Sequence, residues 1–259
     1  SGTDGHLGRV REDSGLSSGI ILNILPYYCI VKPYFCIRKQ IEADMYRNLK
    51  KYINDGKIVI PDSVRRIGKY AFSDCTNLTS IEIPNSVTEI GEYAFYGCGA
   101  LASIVIPDSV RRIGRDAFKG CTGLISIKIS KNVTEIGDYA FGCCSSLTSI
   151  EIPGRVRRIG RDAFKGCIGL TSIEIPDNVI EISDFAFKGC TGLNSLTVGK
   201  NNQYYCGENN CILTKDKTSL IVGCKNSIIP DGITKIGKAA FYCCSSLVSI
   251  EIPDSVNEI

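Results

Sequence analysis

The chain of 259 residues has no tryptophan, one methionine and one histidine. That histidine, His6, sits in a Gly- and Ser-rich stretch over residues 1–19, so Ser-His and Cys-His nucleophilic machinery has no base to draw on. Zinc is disfavoured for the same reason, since none of the 14 cysteines stands in CxxC spacing either. There is no GxxxxGK[ST] loop, no strand-GxGxxG-helix pattern and no polybasic run. A formal charge of +3, scattered along the chain, gives nucleic acid or an anionic membrane nothing to grip. The longest apolar stretch, residues 20–37, is broken by Asn23, Pro26, Lys32 and Pro33, so insertion into a bilayer is not expected. These gaps read as a chain that is not an enzyme and needs no cofactor. The chain begins with Ser and stops inside a pattern, as a fragment of a longer protein would.

What is present is repetition. From Pro61 a unit of 23 residues returns at Pro84, Pro107, Ser130, Pro153 and Pro176, and again at Pro230 and Pro253. A fixed period of this length is the signature of a solenoid, in which no unit can bury its own apolar face until its neighbours stack on it. Within the first unit, Val64, Ile67, Ala71, Phe72, Cys75, Leu78, Ile81 and Ile83 are the apolar or small residues that recur. TSIEI alternates with period two and predicts a short strand with Ile81 and Ile83 inward. PDSV predicts a turn, VRRI a second short extended piece, Gly68 a tight bend, and YAFSDC a single helical or 3₁₀ turn.

The charged residues repeat differently. One column reads Arg66, Glu89, Arg112, Glu135, Arg158, Glu181, then Lys235 and Glu258; three residues on it reads Lys69, Glu92, Arg115, Asp138, Arg161, Asp184, Lys238. Adjacent coils of a stacked sheet lie about 5 Å apart. Like charges would therefore repel along the column, and alternation turns each column into a neutralised ladder that also penalises a slip by one coil. The duplicated unit is then two coils, 46 residues.

The joint spacing IGxYAFxxCxxLxSIxIPxxV, running over residues 58–259, resembles the BspA-like leucine-rich repeats of bacterial and protozoan surface proteins. The resemblance implies a leucine-rich-repeat solenoid, mostly β with short helical or 3₁₀ turns, forming a right-handed curved rod. It implies no shared catalytic residues and, as a role, binding of host or matrix proteins. The expected organisation is a leader over 1–37, a helical N-terminal cap over 38–57, and a solenoid over 58–259. Its units are 61–83, 84–106, 107–129, 130–152, 153–175, 176–198, an irregular unit at 199–229, 230–252 and a truncated unit at 253–259. Ile41, Met45, Leu49 and Tyr52 or Ile53 carry the helical spacing of the cap, and residues 199–229 are expected to make a hairpin-like coil.

Seven cysteines, Cys75, Cys98, Cys121, Cys144, Cys167, Cys190 and Cys244, hold one repeat position and are expected to be buried, reduced thiols. Cys143 and Cys243, their neighbours in the CC pairs, are expected to point outward. Cys206, Cys211, Cys224, Cys29 and Cys36 are the better disulfide candidates. Functionally, the outward residues of the TSIEI-type strands form the candidate ligand-binding face: Glu82, Val105, Lys128, Glu151, Glu174 and Thr197, with Tyr204 and Tyr205 as aromatic anchors. The expected role is a protein-binding module of a cell-surface or secreted, adhesin-like protein. The alternative is a spacer or stalk of a larger surface protein, and the thiol content leaves a cytoplasmic placement open.

Overall fold

A computed structural model describes residues 53–54, 57–242, 244, 247 and 249–259. The described chain winds into a β-solenoid of stacked coils. On one side, the two-residue strands Arg66–Ile67, Glu89–Ile90, Arg112–Ile113, Glu135–Ile136, Arg158–Ile159 and Glu181–Ile182 form a six-stranded parallel sheet in chain order. Each residue faces its equivalent one repeat later, Arg66 against Glu89 and Ile67 against Ile90, and so on to Ile159 against Ile182. On a second side, the TSIEI-type strands pair in parallel: Lys57–Val59 with Ser80–Glu82, Ser103–Val105 with Ser126–Lys128, and Ser172–Ile175 with Ser195–Val198. Isoleucines at the alternate positions point inward, as period-two patterning requires.

The YAFSDC segments are turns, and no helix occurs among the described residues. Their amides divide into two sets. Those of Ala71, Ser73 and Cys75 bond back three residues, to Gly68, Tyr70 and Phe72, whereas those of Tyr70, Phe72 and Asp74 bond forward to Glu92, Ala94 and Tyr96 of the next coil. A helix would need every amide for itself, so this double use excludes it. The geometry is completed by a residue in the left-handed region at the same place in each coil, Tyr70, Tyr93, Asp116, Tyr139, Asp162, Phe185 and Ala239, with φ between 53° and 62°. The glycine of the Ile-Gly pair serves close approach between coils: a Cβ at Gly114 would stand 2.7 Å from the amide nitrogen of Glu92.

The helical cap is corrected where it can be seen. Ile53–Asn54 is a strand, antiparallel to Lys57–Val59, with Ile53 opposite Ile58. The intervening Asp-Gly dipeptide is the sequence favoured in two-residue hairpin loops, which outweighs the helical spacing of Ile53. The rest of the cap, and residues 1–37, lie outside the described residues. The irregular unit forms an antiparallel meander of Tyr205–Glu208, Cys211–Thr214 and Ser219–Val222, and the last of these runs parallel to Lys235–Ile236. Asn209 and Asn210, both left-handed, make its first turn. Buried Asn202 locks the entry: its Nδ2 donates to the carbonyls of Pro176 and Val179, and its Oδ1 accepts from the amides of Tyr204 and Tyr205.

Stacking aligns identical side chains through the core. Phe72, Phe95, Phe118, Phe141, Phe164 and Phe187 form a file of offset rings with successive centroids 5.1 to 5.5 Å apart. Each such pair adds roughly 0.5–1.5 kcal/mol beyond burial of its area. Beside it runs the thiol file. Cys98, Cys121, Cys144, Cys167 and Cys190 are free and buried, and each Sγ donates to the carbonyl of the phenylalanine 26 residues earlier, at 3.0 to 3.2 Å. The thiol thus combines a small apolar volume with a donor that the stacked carbonyl accepts.

Two cysteine expectations change. Cys75 is disulfide-bonded. Cys206, Cys211 and Cys224 are free thiols, directed at the carbonyls of Thr214, Ile228 and Asn210 rather than at each other. Cys143 is exposed, as expected, and free, in the left-handed conformation taken elsewhere by Gly97 or Gly120. Cys29, Cys36 and Cys243 lie outside the described residues. Native alkylation should therefore label Cys143 at once, reach Cys98, Cys121, Cys144, Cys167 and Cys190 only in denaturant, and reach Cys75 only after reduction, as read by peptide mass spectrometry. Rapid native labelling of the file would contradict the packing.

Burial pushes the Cys144 thiol up to about 12, whereas a thiol in an unfolded chain ionises near about 8.5. A raised value means that the fold favours the neutral form. The associated stability is complete below the unfolded value and disappears as pH climbs towards the folded one, at up to roughly 1.4 kcal/mol per pH unit. Urea unfolding of the wild type and Cys144→Ala should show the wild type more stable at about pH 8, with the gap narrowing by about pH 10.5.

Candidate functional site

The TSIEI-type segments bring the outward residues into one line, all from strands except Glu151. Glu82, Val105, Lys128, Glu151, Glu174 and Thr197 are all exposed, each flanked by residues of the core, all buried except half-buried Val198 beside Thr197. Two further members were hidden from the sequence reading: Val59, 59% exposed, precedes Glu82, and Ile228, 69% exposed, extends the line at the end of the irregular unit. The register would have found Ile228, since it stands two residues before Pro230 just as Glu82 stands two before Pro84.

Across the middle of this line runs a shallow groove of about 900 Å³, lined by Val105, Ser126, Lys128, Ser149 and Glu151, with Asp108 and Lys131 at its rim. Lys131 Nζ lies 3.1 Å from Asp108 Oδ2 and holds that carboxyl below its usual range. A second groove, of about 830 Å³, lies beside the irregular unit, with Ile228, Pro230, Glu251 and Ile252 in its walls. The two tyrosines separate. Tyr204 is 52% exposed but lines neither groove. Tyr205 is packed against the core, and its hydroxyl accepts the Ile182 amide at 3.0 Å, so it is not available as an anchor.

The charged columns lie on the six-stranded sheet. Arg66 Nη2 is 2.6 Å from Glu89 Oε2, and Lys69 Nζ is 2.8 Å from Glu92 Oε2. Lys69 holds the Glu92 carboxyl down, and Glu92 raises Lys69 in return. Arg158 is a hub that reaches Glu135 at 2.9 Å, Asp138 at 3.0 Å and Glu181 at 3.1 Å. Arg112, although in register between Glu89 and Glu135, makes no ion pair among the described residues. Beyond the irregular unit, Lys235 pairs with Glu258 at 2.5 Å.

A second alternation went unread. At the left-handed position the buried carboxylates of Asp116 and Asp162 follow Tyr93 and Tyr139, whose hydroxyls they raise in pKa: Asp162 by accepting the Tyr139 hydroxyl, and Asp116 in addition to burial of Tyr93. Asp116 is held by Arg115 at 3.1 Å and Lys119 at 3.0 Å, and Asp162 by Arg161 at 3.4 Å and Lys165 at 3.7 Å. The lysines also cap rings, Lys119 lying 4.6 Å from the Tyr139 centroid. The sequence signal is the exchange of GRDAF for GEYAF or GDYAF in successive units.

Stacked coils with aligned Phe, Cys and Ile define a leucine-rich-repeat solenoid. Residues 39–171, 134–215 and 219–259 match the model of the BspA type leucine rich repeat region, in six copies, and the chain belongs to that family. Solved structures of similar fold include a leucine-rich repeat protein from Eubacterium ventriosum, 24% identical with a TM-score of 0.69 over 80% of this chain and 58% of that one. A leucine rich cell surface protein from Faecalibacterium prausnitzii is 30% identical, with a TM-score of 0.60 over 80% and 65% of the two chains. A leucine rich repeat protein of T. pallidum is 28% identical, with a TM-score of 0.52 over 80% and 83%. This chain thus spans less than two thirds of the first two. No curated protein sequence matches it. Among the described residues no helix is long and apolar enough to cross a membrane.

The hub should matter more than its equivalents. Arg158→Glu places a third acid between Glu135 and Glu181 beside Asp138, and should destabilise by about 1–2 kcal/mol, towards the upper end for half-exposed pairs taken three together. Arg112→Glu should cost about half that. Denaturant midpoints of the two variants give the order, and equal midpoints would show that the side-chain contacts of Arg158 contribute nothing.

Proposed function

We propose that the chain is a non-enzymatic protein-binding module of a cell-surface or secreted protein, and that its ligand, a host or matrix protein, docks along the line Glu82, Val105, Lys128, Glu151, Glu174 and Thr197. The observation that carries this reading is the contrast within each segment: inward positions hold Ile, Leu or Val in every coil, while the outward position reads Glu, Val, Lys, Glu, Glu and Thr along the stack. Packing demands nothing of an exposed position, and a stack of coils that varies there is a surface free to encode a partner. The groove at Val105, Lys128 and Glu151 gives the line a concave centre. Tyr204, exposed at the start of the irregular unit, is the aromatic anchor within the proposal, and the cell-surface description of the Faecalibacterium prausnitzii relative supports the placement.

The stalk reading rests on a different observation. The residue two before each outward position is Ser in six successive units, Ser80, Ser103, Ser126, Ser149, Ser172 and Ser195. A uniform row of this kind suits a spacer, with binding left to segments beyond this chain. The two readings part in a binding screen against extracellular-matrix and plasma proteins, with wild type and the triple variant Glu82→Lys, Glu151→Lys, Glu174→Lys. The variant should fold as the wild type does and lose affinity chiefly through slower association with altered salt dependence. Unchanged binding by the variant, or no ligand at all, would leave the stalk.

A further inference from the structure

One charged column of the six-stranded sheet is not neutralised. The residues just before the ladder run Arg65, Thr88, Arg111, Thr134, Arg157 and Ile180, one per coil, all exposed and with no acid among them. Their backbones are tied together rung by rung, the amides of Thr88, Arg111, Thr134, Arg157 and Ile180 donating to the carbonyls of Arg65, Thr88, Arg111, Thr134 and Arg157. With coils about 4.8 Å apart, the three arginines stand roughly 9.5 Å from one to the next along a rigid line of about 19 Å. The acids of the neighbouring column are already matched, Glu89 by Arg66 and Glu135 and Glu181 by Arg158. Among the described residues Arg65, Arg111 and Arg157 have no ion-pair partner, and Arg112 between them has none either. Register cannot explain this column, because alternation with Thr balances no charge.

We propose that Arg65, Arg111, Arg112 and Arg157 form a docking strip for an extended anionic polysaccharide, sulfated or carboxylated, lying across the coils. Guanidinium groups recognise planar or tetrahedral oxyanions through paired hydrogen bonds, and their spacing along the sheet suits a linear polymer rather than a single ion. The surroundings select the class of polymer. Backbone amides and carbonyls along this column are consumed between coils, so a peptide cannot add as a strand. The members between the arginines are threonines, which offer neither the apolar pockets on which protein hot spots depend nor the rings on which bases stack. A strip of guanidinium and hydroxyl groups alone matches a partner that is itself anionic and hydroxylated. This surface is distinct from the line proposed above for protein ligands, and neither depends on the other.

Heparin serves as the probe. The wild type should bind immobilised heparin with an affinity that falls linearly in log–log terms with salt, as counter-ion release requires. Arg65→Thr, Arg111→Thr and Arg157→Thr together should reduce affinity by at least about tenfold and flatten the salt slope by about two to three, roughly one for each cation lost. Thr already occupies this place in two coils, so the variant is expected to keep its melting transition; Arg111→Thr alone, with about a two- to fourfold loss, provides a second reading. Lys200→Thr, Lys225→Thr and Lys238→Thr, which removes the same charge elsewhere, should stay within about twofold of the wild type. Absence of heparin binding, or equal losses in the two triple variants, overturns the strip. Equal or tighter binding of a poly-glutamate peptide or a single-stranded oligonucleotide overturns the assignment to a polysaccharide.

Discussion

Along the regular array each described coil is hydrogen-bonded to the next at several places, and these bonds join residues about one repeat apart. That translation is the constraint from which the rest follows. It forces each side chain to lie beside its own equivalent, so only residues that tolerate their own company can occupy the interior. Phenylalanine does, by offset stacking; isoleucine does, by layered packing; cysteine does, because its thiol finds the carbonyl of the coil before. A lysine or glutamate column does not, which is why charge survives on this surface largely where it changes sign or is spaced out by a neutral residue.

The same translation decides what could be read from the chain before its fold was seen. The period, the inward isoleucines and the sign changes at Arg66, Glu89 and Arg112 were legible because each is a pattern of residue types. The left-handed position was not, since Tyr, Asp, Phe and Ala share it and only Asp among them is at ease there; intercoil bonding imposes the conformation on the others. The thiol hydrogen bonds were equally silent, because a cysteine chosen as donor and one chosen for size look the same in sequence. Failures clustered where the translation stops. Cys75 is the first member of its file, Ile53 lies in an antiparallel strand pair at the start of the described residues, and Tyr205 belongs to the irregular unit, where its hydroxyl takes the Ile182 amide. Helical spacing and exposed-aromatic reasoning both assume a local environment that only the stack supplies.

For the candidate faces the balance is different. Alternation with period two placed Glu82, Val105, Lys128, Glu151, Glu174 and Thr197 outward without ambiguity, because the buried partners of those residues are unmistakable. What such patterning could not supply was depth. The groove at Val105 and Lys128 depends on how successive coils are set against one another, a property of the whole stack that no single unit encodes.

The two-coil duplication gives the charges a further meaning. Coils of the first kind carry three cations around the ladder, as in Arg111, Arg112 and Arg115, while coils of the second kind carry two acids, as in Glu135 and Asp138. Neutralising the ladder requires only two of the three. Arg158 takes both of those acids, Arg112 stands opposite Glu135 in register, and the buried Asp116 gives Arg115 a partner within its own coil. The third cation, Arg111 and its equivalents Arg65 and Arg157, serves neither ladder nor core. Three long, exposed side chains held in line with no ion-pair partner among the described residues contribute self-repulsion, so their electrostatic cost is small but of one sign. A feature repeated three times at a steady spacing, with nothing gained in folding, is better explained by what approaches that face than by what lies beneath it.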